Sequence, residues 1–343
     1  MAFHAVGIDI AKSVFHLVAF DKRGSVVLKK KFSRSQLLVF TANMQAEIVG
    51  MEACSGAHFL ARALAQQGQN IKLMPAEYVR AYVKSNKNDF IDAEAIAEAV
   101  TRPNMRFVPV KTEEQLDLQA LHRVRERWIQ RRVALTNQIR GFLLERGIPV
   151  RVGSEHLRQA VGPILEDADN GLTTRSRMLL STLREEWKEL EEKITDVTGE
   201  ISGISRSNES CKRLMGIPGI GPIISTALVA AVGNATDFRK GRDLASWLGL
   251  VPRQHSSGGK TKLLGISKRG NHYLRKLLVE GARAAFARLD RSKHAFGTFM
   301  DRLDSKHSNV AVIALANKLA RIAWAVLTTG QEYRGQPIAV EMM

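Results

Sequence analysis

Cysteine is nearly absent: the 343 residues include only Cys54 and Cys211, far apart and without metal-ligand spacing. That scarcity excludes a disulfide framework and a cysteine zinc site, and it fits a reducing cytoplasm. No apolar run reaches the roughly 18 residues that a membrane span needs. The opening MAFHAVGIDIAK carries an acidic residue early and lacks a long apolar core, so it does not read as a signal peptide. Low-complexity tracts and internal repeats are missing as well. What remains is a chain with 45% hydrophobic and 25% charged residues, a composition that folds. The expectation is a soluble, cytoplasmic protein with no membrane contact and length for roughly two or three domains.

Positive charge is abundant and unevenly placed. Formal net charge is +17, with a pI near 10.1. Residues 1–110 hold 14 Lys/Arg against 9 Asp/Glu, residues 111–210 hold 16 against 17, and residues 211–306 hold 18 against 6. A neutral middle between two basic ends predicts protein contacts in the middle and a polyanion at the ends. Generic solubility does not require such localisation, so nucleic acid is the favoured partner.

The first segment reads as strands. HAVGIDI, VFHLVAF and SVVLKKKF are β-rich, the last two joined by the turn-like DKRG. An amphipathic stretch from Ser35 to Gln45, a fourth strand in EIVGMEA, a helix over Ala57 to Gln67, a fifth strand in NIKLMP and a helix in DFIDAEAIAEAV follow. This order predicts a mixed sheet flanked by helices. From Lys111 the pattern changes to long helices. Leu183, Trp187, Leu190, Ile194, Val197, Ile201 and Ile204 form a heptad seam, with a weaker one through Leu121, Val124, Trp128, Leu135, Ile139 and Phe142. Such a seam packs against a copy of itself, the preferred reading, or within an intramolecular hairpin. Gly147 to Thr174 reads as a loop-rich connection. From Ser207, LMGIPGIGPIISTALVAAVG resembles a helix–hairpin–helix, whose glycines would let backbone N–H groups approach DNA phosphate, or else an ordinary helix-to-helix turn.

Four acids in the first quarter of the chain carry the chemistry. Asp9 lies in HAVGIDI, Glu52 ends EIVGME, and Asp89 and Asp92 form a D-x-x-D pair opening a helix. Carboxylates at strand ends are costly unless compensated, and a divalent cation is the usual compensation. The i, i+3 pair falls on one helix face. Singly, each acid has a bland explanation, such as an N-cap or a dipole partner. Together they predict a two-metal phosphoryl-transfer site using Mg²⁺, with Mn²⁺ as the alternative.

At these residues the chain resembles a known family. Gly7–Lys12 (GIDIAK), Met51–Gly56 (MEACSG) and Lys87–Ala93 (KNDFIDA) look like the N-terminal domain of the DEDD transposases of bacterial insertion sequences, which include pilin-gene-inverting recombinases. The resemblance implies an RNase H-like, RuvC-like fold with Asp9, Glu52, Asp89 and Asp92 as the metal-binding tetrad. It continues in Gly216–Gly221, Leu248–Pro252, His255–Lys260 and Ser267–Asn271 with Leu274 and Arg275, which look like the family's C-terminal transposase domain. That domain supplies a serine nucleophile, and the matching residue is Ser257, with Ser256 adjacent. Read from the residues alone, Ser257 lies in a Gly-rich loop near Arg253, Lys260, Lys262, Lys268 and Arg269, cations suited to holding a phosphate. An unassisted hydroxyl is a poor nucleophile, so the carboxylate–metal cluster would have to activate it across domains or subunits. Lys84 and Lys87, before the D-x-x-D helix, are further nucleic-acid contacts.

The combined expectation is an α/β plus α protein. An RNase H-like (RuvC-like) mixed-sheet domain spans 1–110, a long helical coiled-coil middle 111–206, and a mainly helical C-terminal transposase domain 207–343. Its reaction would be Mg²⁺-dependent DNA strand cleavage and exchange through a phosphoserine link. The resemblance further implies a structured guide RNA encoded by the element. The seam implies a homo-oligomer, a dimer or dimer of dimers. The rival readings are a Holliday-junction nuclease using water and a non-catalytic nucleic-acid-binding protein.

Overall fold

The first three strands are built from alternating and β-branched residues. β1 spans Ala2–Ile10, β2 Phe15–Phe20 and β3 Val26–Phe32. The structure, a computed structural model, describes residues 2–83, 88–294 and 296–335. Asp21 Oδ1 accepts from the Arg23 and Ser25 N–H groups, and Gly24, at φ +79°, closes the turn between β2 and β3. Helix α1 (Arg34–Ala42) starts at a Ser33/Gln36 capping box. β4 (Gln45–Glu52), α2 (Ala57–Gln66), β5 (Ile71–Met74), α3 (Ala76–Val79) and α4 (Asp89–Val100) complete this part.

The five strands form one sheet in the order β3-β2-β1-β4-β5. β2 runs antiparallel to both neighbours, whereas β1, β4 and β5 are parallel. On one face, Val6, Ile8, Leu17 and Met51 pack under Leu37 of α1 and Leu60 and Leu64 of α2. On the other, Ala5, Val18 and Met74 pack under Ala93, Ile96, Ala97 and Val100 of α4. The period-2 alternation of each strand therefore sorts its residues between the two faces.

The rest is helical. α5 (Glu113–Leu144), α6 (Ser154–Glu166) and α7 (Thr174–Ser207) precede α8 (Glu209–Met215), α9 (Pro222–Val232) and α10 (Gly241–Trp247). A hairpin of β6 (Pro252–Ser257) and β7 (Lys260–Ile266) leads to α11 (His272–Arg288), α12 (Gly297–Asp301) and α13 (Ser308–Thr329). The chain divides into two compact units, Met1–Glu113 and Glu114–Met343. The helical middle lies with the C-terminal region in the second unit.

The heptad seam is buried inside the chain. Trp187, Leu190, Ile194, Val197 and Ile201 are enclosed. Arg131–Glu186 at 2.9 Å, Arg132–Glu191 at 3.3 Å and Arg125–Thr198 at 2.7 Å run in opposite directions along α5 and α7, so the pair is antiparallel. Heptad spacing cannot distinguish a partner in the same chain from one in a copy; here Trp187 and Leu190 pack with Leu135 and Ile139 of α5, and α9 also packs on α7. The connection expected to be loop-rich contains α6. Its Leu157 and Val161 pack against Leu135, Ile139 and Leu180, and that burial holds a helix despite Gly162 and an internal Pro163.

Between α8 and α9, Gly219 sits at φ +88° with its missing Cβ position 2.5 Å from the Gly281 carbonyl oxygen of α11. A short turn joins the two helices, and this glycine serves backbone packing within the unit. α13 is long and apolar enough to cross a membrane by length and composition, a run whose continuity Lys318 and Arg321 mask in the sequence. Its Leu315, Leu319, Ala320 and Ala323 are fully enclosed as the core helix of the second unit.

His122 ties α5 to α9 and α11. The Thr226 hydroxyl donates to the Pro222 carbonyl at 2.6 Å, so it accepts from His122 Nε2–H at 3.0 Å. Nδ1 is then left to accept from the Tyr273 hydroxyl at 3.0 Å, which requires neutral imidazole. Burial, then the nearby Arg125 charge, lowers the His122 pKa from 6.5 to about 4. A depressed histidine stabilises the fold above its unfolded pKa, and that contribution is lost as pH falls from 6.5 toward 4. The loss is on the order of 3 kcal/mol. Urea midpoints measured across that window should fall, and His122→Gln should be less stable at neutral pH and show a flatter profile. An unchanged slope in the variant would remove His122 as the cause.

Candidate active site

The register of β1 and β4 brings the acids together. One step beyond the Ile8–Met51 pair, Asp9 and Glu52 lie side by side at the carboxyl ends of adjacent parallel strands. Alternation sends them to one face: Gly7 and Gly50, two residues earlier on each strand, both lie against α4. α4 begins at that same edge. Asn88 caps it by accepting from the Phe90 N–H at 2.9 Å, and Asp89 and Asp92 occupy its first turn, where the helix dipole favours negative charge. All four acids therefore meet the α4 side of one sheet edge.

Gly7 sets how closely they approach. A Cβ there would lie 2.1 Å from the Ala93 carbonyl oxygen and 2.4 Å from the Ala97 nitrogen. Only glycine lets the α4 backbone rest on β1, and Ala93 and Ala97 present their smallest side to it. Asp9 records the result. Burial raises its carboxyl pKa, the charges of Asp92 and then Asp89 push it the same way, and His16 and the Ile10 N–H oppose them. Cys54, just past β4, feels the same field: after burial, Glu52 and Asp9 raise its thiol pKa.

His16 is a further neighbour of the acids, one not singled out by the sequence motifs. It faces Asp9 across the β1–β2 ladder, and its Nδ1 lies 3.6 Å from Asp89 Oδ2. Its ring meets Phe90 edge-on at 4.7 Å. Nδ1 is buried without a hydrogen bond. The signal available in the sequence was strand parity: His16 shares the α4-facing side with Val18.

Among the described residues, no three His, Cys, Asp or Glu side chains are gathered tightly enough to form a metal cluster. The donor chemistry nevertheless suits a hard divalent cation: four carboxylates share one edge, and burial, then the charges of Asp92 and Asp89, raise the pKa of Asp9.

Ser257 lies elsewhere in the chain and not in a loop. It is the last residue of β6, opposite Lys260, with Gly258 at φ +54° and Gly259 at φ +75° making a two-residue primed hairpin turn. Two left-handed positions in a row demand this Gly-Gly pair. Register separates the two serines. His255 pairs with Lys262 and Ser257 with Lys260, putting these four on one face. Ser256, on the other, accepts from Gln254 Nε2 at 2.7 Å and donates to Thr261 at 3.4 Å. Arg253 precedes a ladder irregularity on the same exposed strand. Lys268 and Arg269 sit on a clamped turn: Lys268 N–H donates to the Gly249 carbonyl at 3.2 Å, and buried Arg275 donates to the carbonyls of Leu248 at 2.9 Å and Arg269 at 2.8 Å. Lys84 and Lys87 lie outside the described residues.

Comparison with known proteins agrees with this organisation. A DEDD transposase profile of the IS110 type matches residues 6–147, and a profile described as "Transposase IS116/IS110/IS902 family" matches residues 211–297. The transposase for insertion sequence element IS1328 of Yersinia enterocolitica is 44% identical over 95% of this chain and 97% of its own length. That for IS1111A of Coxiella burnetii is 42% identical over 96% and 91%. The pilin gene-inverting protein of Moraxella bovis is 32% identical over 37% of this chain and 39% of its own. The carboxylate edge and the basic serine hairpin thus occur together in a transposase, a DNA-recombining enzyme. The chain belongs to the IS116/IS110/IS902 transposase family of insertion sequences.

Two outcomes test the edge. Gly7→Ala should lower stability by about 1–3 kcal/mol through overpacking in urea unfolding, with loss of DNA cleavage because the α4 acids shift. Unchanged stability would show that α4 does not rest on Gly7. A raised carboxyl pKa weakens the fold as pH rises through it, so metal-free Asp9→Asn should melt above the parent by roughly 2–4 °C per kcal/mol relieved. Mg²⁺ should raise the melting temperature of the parent and not of the variant. Equal Mg²⁺ effects on both would place cation binding elsewhere.

Proposed function

We propose that this transposase cleaves and exchanges DNA strands in a divalent-cation-dependent reaction through a phosphoserine intermediate on Ser257. The convergence of Asp9, Glu52, Asp89 and Asp92 on one sheet edge is the observation that carries the reading. These four would hold Mg²⁺ or Mn²⁺, which when bound supplies charge neutralisation to the phosphoryl group and its leaving oxygen. Asp9 and Glu52 are rigid donors on strand ends, and Asp89 and Asp92 are oriented by the first turn of α4. The fold assigned to this unit is RNase H-like, supported by the 3-2-1-4-5 strand order with β2 antiparallel.

The serine step is balanced within the phosphodiester. Ser257 Oγ forms a P–O bond, the scissile P–O bond breaks, and the departing DNA oxygen retains the electron pair and takes up a proton. The serine proton passes to a base, for which His255 on the same strand face is available within the hairpin, in place of the carboxylate–metal cluster expected from sequence. Lys260 and Lys262, on that face too, hold the phosphate, and Arg253, Lys268 and Arg269 extend the cationic surface. Ser257 is preferred over Ser256, whose hydroxyl is engaged by Gln254 and Thr261. Reversal by a DNA hydroxyl attacking the phosphoserine joins the strands.

The partners follow from the same reading. DNA of the element ends and target is the substrate, and a structured RNA encoded by the element guides it, supported by family resemblance and by the 18 Lys/Arg against 6 Asp/Glu of residues 211–306. Exchange between duplexes needs more than one serine and each chain carries one Ser257, so a dimer or dimer of dimers acts, assembled through surfaces other than the buried heptad seam. We place it in the cytoplasm, with residues 1–110 as the RNase H-like part, 111–206 as the helical part and 207–343 as the transposase part.

Incubation with labelled element-end DNA, matching RNA and Mg²⁺, run on a denaturing gel, should give a covalent protein–DNA band. The band should vanish in Ser257→Ala and persist in Ser256→Ala. Cleavage retained in Ser257→Ala but lost in Asp9→Asn would indicate a nuclease using water. Undiminished cleavage in Asp9→Asn would sink both readings.

A further inference from the structure

A groove of about 1380 Å³ in the second unit, between α10, α13 and the base of the β6–β7 hairpin, is used by none of the chemistry above. Its floor is apolar, including Leu250, Ile313 and Trp324. Its rim carries five cations, Lys240, Arg242, Lys318, Arg321 and Arg334, against one carboxylate, Glu332. None of the five is paired with a carboxylate among the described residues. Lys318 is the telling one. Its ammonium is held 4.1 Å from the Phe299 ring centroid and 5.2 Å from that of Phe296. Burial, then the charges of Arg302 and Arg321, lowers its pKa. A desolvated cation among other cations, offset only by ring faces, lacks its counter-charge.

The groove is also continuous with the serine hairpin. Pro252, Leu264 and Ile266, at the hairpin base, line it. Ser257 is five strand residues away, about 17 Å. We propose that this groove binds the unpaired DNA strand adjoining the phosphate attacked by Ser257, with phosphates on the cationic rim and bases on the apolar floor. Bases stacked inside a duplex present no faces to such a floor, whereas unpaired bases do. The direction of the strand rests on Ser257 being the nucleophile; the binding itself does not.

The test is fluorescence anisotropy of the full chain carrying Ser257→Ala, which excludes covalent capture, with single-stranded DNA, the same sequence as duplex, and the same sequence as RNA. Arg242→Glu with Arg321→Glu changes two exposed side chains. It should weaken single-stranded DNA binding about tenfold at ~0.1 M salt and reduce the log–log salt slope by about 1.4 for two lost phosphate contacts, with duplex binding affected far less. Lys240→Glu, also exposed, should act in the same direction and guards against misfolding of the double variant. Unchanged single-strand affinity in both variants would overturn the proposal, as would equal weakening on duplex or weakening confined to RNA. No cleavage is read, so failure of the serine mechanism in its own gel assay leaves this result separately interpretable.

Discussion

The contact of α4 with β1 at Gly7 is the constraint on which the first unit depends. A single missing Cβ lets a helix backbone lie where a side chain would otherwise stand, within 2.1 Å of the position that carbon would occupy. Sheet and helix meet at that point, and everything at the nearby edge inherits the distance it sets. Ala93 and Ala97 on α4 are the complementary small residues, and Gly50 repeats the arrangement on β4 against Val100. Close packing of small residues here has an electrostatic consequence: it presses the negative first turn of α4 toward the acidic strand ends.

That juxtaposition runs against folding. Asp9 is desolvated and repelled by Asp92 and Asp89, relieved only in part by His16 and a backbone N–H. Selection for stability alone would favour an uncharged residue at such a position. On the proposed function, stability is given up where a cation and a phosphate would be received, in keeping with strain gathering at functional sites. The second unit shows the same pattern with opposite sign. Lys318 is held over aromatic rings beside Arg302 and Arg321, and none of the three has an ion pair with a carboxylate among the described residues.

Much of the first unit was legible in the sequence because strand parity and helix caps are local. HAVGIDI, VFHLVAF, EIVGMEA and the DFIDAEAIAEAV helix are where expected, since β-branched alternation and helical patterning are local cues, although the cap is Asn88 and Asp89 lies inside the first turn. The role of Gly7 was not legible, because a close approach depends on a helix more than 80 residues later. His16 was missed for a related reason: its neighbours Asp9 and Asp89 come from a ladder and a helix, not from adjacent sequence. In the helical region the heptad seam predicted burial but not its partner, and α6 was hidden behind Gly162 and Pro163 because tertiary packing overrode local propensity. The Ser257 segment read as a flexible loop, since glycine pairs signal loops generally; opposite partners His255–Lys262 and Ser257–Lys260 make it a hairpin.

The most direct test of the account is diffraction from crystals of the full chain soaked in Mn²⁺, with anomalous scattering used to locate the ion. The account predicts Mn²⁺ at the sheet edge, liganded by Asp9 together with carboxylates among Glu52, Asp89 and Asp92. No anomalous peak there at saturating Mn²⁺, or a peak only at another site, would contradict it.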